Sequence, residues 1–338
     1  MDFLRKTIFL FILVLTFQVF YSCRNNINTS KDALSAVDTQ KSKQNLDTLE
    51  YNKRRNALCA KDTLGLWPVK NVPYPLAGAI LPFHRIVAYY GNLYSKRMGA
   101  LGEFPKAEML QKLAVQAAAW AKADSTTPVI PALHYIAMTA QQAPGADKKY
   151  RMKMPFDQID TIVKWTKEIN GLTFIDIQIG ASTVQEEIPK YAEYFKNPTL
   201  HLGIDPEFSM KYGNRPGTVI GTLNSDDINF VIDFLADVVR KNNLPPKILV
   251  IHRFTDDMVT GYDKIKNVPE VQVVMHMDGW GGKPLKKETY RRCIVTQPVN
   301  WTGFKIFYGN DTKKDKNALL SPEEVLALNP QPIYIQYQ

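Results

Sequence analysis

Two neighbouring stretches decide the architecture: Leu172-Thr-Phe-Ile-Asp-Ile-Gln-Ile179 and Thr199-Leu-His-Leu-Gly-Ile-Asp-Pro-Glu207. Successive strand side chains point to opposite faces, so positions i and i+2 share one. In the first stretch Ile175, Ile177 and Ile179 make an apolar face, and Phe174, Asp176 and Gln178 make the other. In the second, Leu200, Leu202 and Ile204 oppose His201, Gly203 and Asp205. Glu207 falls in phase with Asp205 if the extended path continues through Pro206. The apolar faces suit packing under helices, and the polar faces then look the other way.

Working outward, six further stretches read as strands: 85–90, 128–137, 247–254, 271–278, 303–308 and 332–337. Helical patterns are expected between them at 105–124, 156–169, 183–196, 225–242, 255–265 and 284–293, with a short helix opened by Ser321 and Pro322. Asp226 and Asp227 suit the positive end of the 225–242 helix. Strands alternating with helices predict a parallel sheet. Eight is the number at which such a sheet closes into a (β/α)8 TIM-type barrel. An open doubly wound sheet is the rival, but no Gly-rich nucleotide loop follows the first strand. The chain reaches its eighth strand without a helix after it, and residues 59–84 are candidates to cover that gap or plug the barrel bottom.

The alternation recurs downstream. Leu249 and Ile251 oppose His252, and Val271, Val273, Met275 and Met277 oppose His276, Asp278 and Trp280. Four strands thus send Asp176, Asp205, Glu207, His252 and Asp278 to one interior, near the strand ends where barrel active sites sit. Buried carboxylates are costly unless paired or used, and a cluster of them has split pKa values. Capping of loops, or pairing of Asp176 and Asp205 with Lys305 and Arg85, is the structural alternative. His201 and His276 read as core histidines, and His134 stays undecided. Trp280, Tyr89 and Tyr90, with Gln178 and His252, are candidates to contact a substrate, the aromatics by stacking on sugar rings.

Asp205-Pro206-Glu207 at the end of the fourth strand resembles the Asp-x-Glu of chitinase-type and lysozyme-type glycoside hydrolase barrels. The longer chitinase run of spaced aspartates is absent, since 200–207 reads Leu-His-Leu-Gly-Ile-Asp-Pro-Glu. The resemblance implies Glu207 as general acid, Asp205 as its partner, and Asp278 or Asp176 as base or nucleophile. Carboxyl separation would choose between retention at about 5 Å and inversion at roughly 6.5–9.5 Å. Two other classes stay open. A divalent ion held by His252, Asp176, Asp205 and Asp278 could activate water, although the first strand lacks the His-x-His of amidohydrolase barrels. The barrel mouth could also bind glycan without cleaving it. No cofactor and no structural metal are expected.

The N-terminus begins with a short basic region, Arg5-Lys6, then an apolar run from Thr7 to Tyr21, then Ser22-Cys23. An apolar run of about 15 residues closed by a small residue is the signal-peptide pattern. It is shorter than the run of about 18 or more expected of a spanning helix. Ser22-Cys23 resembles the lipobox of bacterial lipoprotein precursors, which implies a signal peptide over 1–22, a lipid on Cys23, and a membrane-anchored location outside the cytoplasm. An ordinary secretory signal and an uncleaved anchor are the alternatives. Residues 23–55 are polar and poor in large apolar groups, which predicts a flexible tether before a single barrel domain over 56–338. The formal net charge is +9, with Lys and Arg dispersed and no nucleic-acid motif. A basic surface suits anionic polymers or lipids outside the cell. The expected partners are a polysaccharide and a membrane, the protein itself acting as a monomer. Cys59 and Cys293 could pair in an oxidising compartment, though spacing alone does not settle it.

Overall fold

Each of the eight apolar-rich stretches forms a strand, and each pairs in parallel with its neighbours. The computed structural model describes residues 45–316 and 319–338. The strands are β1 (Arg85–Gly91), β2 (Val129–Ala140), β3 (Leu172–Ile177), β4 (Leu200–Ile204), β5 (Lys247–Arg253), β6 (Val271–Met277), β7 (Trp301–Ile306) and β8 (Tyr334–Tyr337). They pair in sequence order, and β8 closes onto β1 through Ile86 opposite Tyr334 and Tyr89 opposite Tyr337. The expected (β/α)8 barrel is therefore present. A short antiparallel strand, Arg151–Lys153, extends the long β2 at its outer end.

The parity read from sequence holds. Ile175, Ile177, Leu200, Leu202, Leu249, Ile251, Val273 and Met275 join the outer core under the helices. Inside the barrel, the lower layers are apolar: Ile86, Ala88, Ile130, Ala132, Leu172, Phe174, Ile248, Val250 and Val274. The layers nearer the strand C-termini carry the polar side chains. Burying one large aliphatic or aromatic side chain stabilises by about 1.5–3 kcal/mol, so the lower layers and outer core can offset the cost of the polar ones.

The helices are α1 (Thr48–Leu58), α2 (Lys106–Ala123), α3 (Phe156–Glu168), α4 (Ser225–Asn242), α5 (Lys283–Tyr290) and α6 (Pro322–Leu326). Asn224 and Asp227 form a capping box on α4, and Ser321 and Glu324 form one on α6. Two expected helices differ. The 183–196 segment is broken into Val184–Glu187, a 3-10 turn Ile188–Tyr191 and Ala192–Phe195. Pro189 offers no N–H to continue the ladder. The 255–265 segment is not a helix but two 3-10 turns, Asp256–Met258 and Tyr262–Lys264, around a two-residue strand. Gly261 between them is left-handed, at φ +68°.

The barrel bottom is closed by chain on the N-terminal side of β1. Leu81 is fully buried inside the barrel, and its N–H and C=O are both met by the Gln272 amide. Helix α1 lies beside it, capped by Asp47, with Tyr51 packed edge-on against Trp301 at 6.1 Å. The end of the segment read as a tether is thus ordered helix from Thr48. Its signal was only one buried aromatic on a polar helix. The signal peptide, Cys23 and the rest of the tether lie outside the described residues. Cys59 and Cys293 are both buried and both free thiols. Among the described residues no helix is long and apolar enough to cross a membrane.

Candidate active site

The interior side chains of the upper layers meet in one connected knot. From β6, Asp278 places Oδ1 3.0 Å from Lys305 Nζ of β7 and Oδ2 2.8 Å from Nδ1 of His252 on β5. Across His252, Nε2 lies 3.3 Å from Asp176 Oδ1 on β3. His134 of β2 brings its own Nε2 to the same oxygen, also at 3.3 Å. The other Asp176 oxygen accepts from the Tyr90 hydroxyl of β1 at 2.9 Å. His134 Nδ1 meets the Tyr334 hydroxyl at 2.6 Å and the Gln336 amide nitrogen at 3.0 Å, both from β8. Seven of the eight strands thus contribute to one network, which closure of the barrel makes possible.

Two glycines make room, one for the network and one for His276 beside it. A Cβ on Gly203 would lie 2.4 Å from both Asp176 Oδ1 and His134 Nε2. One on Gly303 would lie 2.4 Å from His276 Nδ1.

Above the knot opens a cavity of about 790 Å³. Asp205, Glu207, Asp278, Lys305, Tyr90 and Gln178 line its floor, and Phe208, Phe254, Phe307 and Trp280 line its sides. Arg97 and Lys314 stand exposed at the rim. Gln338 also lines it; its backbone bonds to Ile306 and Tyr308 continue the β8 edge past β7.

Glu207 reaches this cavity by a route other than strand alternation. The extended path stops at Asp205, and Pro206–Phe208 form a 3-10 turn. The Asp205 carboxylate accepts the Glu207 N–H at 3.1 Å and fixes that turn. Gln178 Nε2 stands 3.4 Å from the other Asp205 oxygen and 3.4 Å from the Tyr90 hydroxyl.

The carboxyl groups divide into two kinds. Burial pushes Glu207 up to about 7, with the Asp278 carboxylate adding to it and Lys305 and His252 opposing. Burial also pushes Asp205 well above the usual carboxylate range; His252 works against this, while Glu207, Asp176 and Asp278 reinforce it. Asp278 is held well below that range despite its burial, because Lys305 and His252 flank it. Asp176 is likewise held low against burial by His252 and His134. Burial alone would lower His252, but the carboxylates of Asp176 and Asp278 on its two sides raise it to about 10. Burial lowers His134 to about 4 against the pull of Asp176. Tyr90 is raised well above its usual value by burial and then by the surrounding carboxylates.

Glu207 and Asp278 therefore share a cavity as a proton-holding and a charged carboxyl, the pairing that supplies an acid and a base from one residue class. Asp205 caps the Glu207 turn. Asp176 does not reach the cavity: it is fully buried and its oxygens are taken by Tyr90 and the two histidines. His252 is sealed in the same way and links carboxylates rather than touching a ligand. Tyr90 and Gln178 are on the floor, and Trp280 is at the rim, 54% exposed, with the Lys313 ammonium 5.2 Å from its ring centroid. Tyr89 is not in the site. Adjacent strand residues cannot share a face, and with Tyr90 inside, Tyr89 packs under the helices with its hydroxyl 3.2 Å from that of Tyr308.

Lys305 pairs with Asp278 rather than with Asp176 or Asp205, and Arg85 pairs with Asp124. The cavity roles of Lys305 and Phe307 were not read from the sequence. The signal existed: buried Phe304 and Ile306 in the outer core leave Gly303, Lys305 and Phe307 in phase inside. Phe208 and Phe254 lie beyond their strands, where alternation gives no guide. His201 and His276 are fully buried, as expected of core histidines.

No known protein-family profile and no curated protein matches the chain. Among solved structures, a trimodular GH5_4 subfamily endoglucanase overlaps with TM-score 0.44 at 8% identity, over 77% of this chain and 56% of that one. This chain thus spans little more than half of that structure's length. A hyperthermophilic endo-beta-1,4-glucanase in complex with substrate gives 0.35 at 13% identity, over 62% of this chain and 77% of that one. A GH5-4 broad specificity endoglucanase from Clostridium acetobutylicum gives 0.37 at 10%, over 66% and 79%. The barrel here stands on its own strand pairing, and the site on its own geometry.

Proposed function

We propose that this protein is a glycoside hydrolase-like enzyme, exported and tethered by a lipid on Cys23, that cleaves an envelope or extracellular polysaccharide. The observation that carries the catalytic part is the pairing of Glu207 and Asp278 in one cavity, one holding its proton near neutrality and the other ionised. Glu207 donates its proton to the glycosidic oxygen as the bond to the sugar C1 breaks. Asp278 either takes a proton from the attacking water or bonds to C1 itself, and carboxyl spacing relative to the bound sugar selects between them. Asp205 holds the turn that aims Glu207. Lys305 keeps Asp278 charged. Trp280 and the phenylalanine sides offer apolar faces to sugar rings, and Arg97 with Lys314 at the rim favours a polymer bearing anionic groups.

The test is a polysaccharide panel that includes acidic and neutral polymers, assayed for reducing ends. Glu207→Gln keeps the size of the side chain and removes the acid, so hydrolysis should fall by at least about 100-fold. Activity retained in that variant removes the role. Polymer that binds the wild-type protein without release of reducing ends would make it a glycan-binding protein instead. The anchor is tested separately, by mass spectrometry of mature protein. Diacylglycerol on Cys23 is expected, and an unmodified Cys23 or an intact 1–22 segment overturns it.

A further inference from the structure

The knot beneath the cavity floor holds more than an ion-pair chain requires. Three atoms converge there: Asp176 Oδ1, His134 Nε2 and His252 Nε2, all within 4.8 Å of one another. Each belongs to a group whose other polar atom is already held. Tyr90 donates to Asp176 Oδ2, Asp278 takes His252 Nδ1, and Tyr334 with Gln336 meets His134 Nδ1. Orientation of a ligating imidazole by a carboxylate or hydroxyl on its far nitrogen is the usual support of a metal-binding histidine.

The distances favour the same reading. A charged imidazolium–carboxylate hydrogen bond is about 2.7–2.9 Å long, as His252 Nδ1 to Asp278 is, at 2.8 Å. On its other side His252 Nε2 stands 3.3 Å from Asp176 Oδ1 and makes no aligned hydrogen bond. His134 Nε2 stands at the same 3.3 Å. Ligands about 2.0–2.1 Å from a tetrahedral ion are roughly 3.3 Å from one another. Gln336 adds an independent sign. Its Oε1 is buried without a hydrogen-bond partner. Turning that amide over would let Oε1 accept the Nδ1 proton of His134, and the lone pair of Nε2 would then face Asp176. Gly203, where any Cβ would run into two of the three atoms, keeps the space clear.

We propose that His134, Asp176 and His252 bind one divalent transition-metal ion, of the class that prefers imidazole and carboxylate, with zinc as the type case. The ion lies under the floor formed by Tyr90, Asp205 and Gln178 and fixes it from below. This site does not rest on the glycosidase reading.

The test uses the full mature chain, without a polyhistidine tag. After depletion with a chelator, Co2+ is titrated in. A saturable visible absorption of tetrahedral type at one equivalent is expected, with displacement by Zn2+ and a rise in Tm that Mg2+ does not give. His134→Gln should lose the absorption while keeping the native circular dichroism. Asp176→Asn should lose it too, and if that variant does not fold, His252→Gln takes its place. Glu207→Gln should bind Co2+ as the wild type does, which separates this result from the fate of the glycan reading. A folded wild-type protein with no saturable Co2+ absorption overturns the site, and so does a His134→Gln variant that binds as before.

Discussion

Glu207 and Asp278 line the same cavity, yet their protons are held in opposite senses, and this has a pH consequence. Glu207 is raised by burial to about 7, so its acid form persists through the weakly acidic range and is lost as pH rises through neutrality. Turnover should therefore show an alkaline limb near pH 7, falling about tenfold per unit beyond it. A kcat–pH profile checks this, and a limb several units higher would remove Glu207 as the acid. Stability follows the same direction: the contribution of Glu207 is full below the ordinary Glu value of 4.5, declines as pH rises from there to about 7, and is gone above it. Lys305 makes the converse case. Its ammonium is buried 3.0 Å from Asp278 and 3.8 Å over the Tyr90 ring. Removing one partner of a buried pair leaves the other uncompensated, at about 3–5 kcal/mol. Lys305→Met should lower stability in urea by that order, whereas Lys196→Met on an exposed pair with Glu193 should cost under about 1 kcal/mol.

Among the elements, β4 carries the constraint that bears most directly on the buried network. Gly203→Ala would place a methyl 2.4 Å from two fixed polar atoms. Overpacking of this kind costs about 1–3 kcal/mol, and displacement of Asp176 should add loss of activity. Gly309→Ala, with nothing within 4 Å of its added Cβ, is the matched control and should be silent in both thermal melts and turnover. Strand parity is legible because Ile175 and Ile177, Leu200, Leu202 and Ile204, Leu249 and Ile251, and Val273 and Met275 form apolar faces on four consecutive strands, and their neighbours Asp176, Asp205, His252 and Asp278 then fall on the other side. Glu207 reaches the cavity on a turn rather than a strand, which strand alternation does not encode. Pro189 could have shown the break in the helix after β3, as proline removes a donor wherever it stands. The turns after β5 gave no such sign, because Gly261 acts through its conformation and not its pattern. Parity excludes Tyr89 from the interior once Tyr90 is there, and its aromatic ring alone does not bring it to the site.

At the scale of the whole molecule, the barrel has a closed pole and an open one. The closed pole is made by Leu81 and α1, and Tyr51 is buried there in edge contact with Tyr74 and Trp301. Tyr51→Ala should cost about 3 kcal/mol by cavity formation, read as a lower urea midpoint with an unchanged slope. The boundary of α1 was illegible because its sequence, TLEYNKRRNAL, is polar on nearly every side. A helix of that kind is stabilised by what it caps, and the cap belongs to distant residues. The open pole has a practical counterpart. Gln338 lines the cavity, and its backbone is pinned to Ile306 and Tyr308. Whatever is joined to Gln338, whether an affinity handle or a fluorescent reporter, starts its path in the mouth of the cavity. On the glycan reading proposed above, lost activity in such a fusion would report an obstructed mouth rather than a damaged site, so labels belong at the opposite pole.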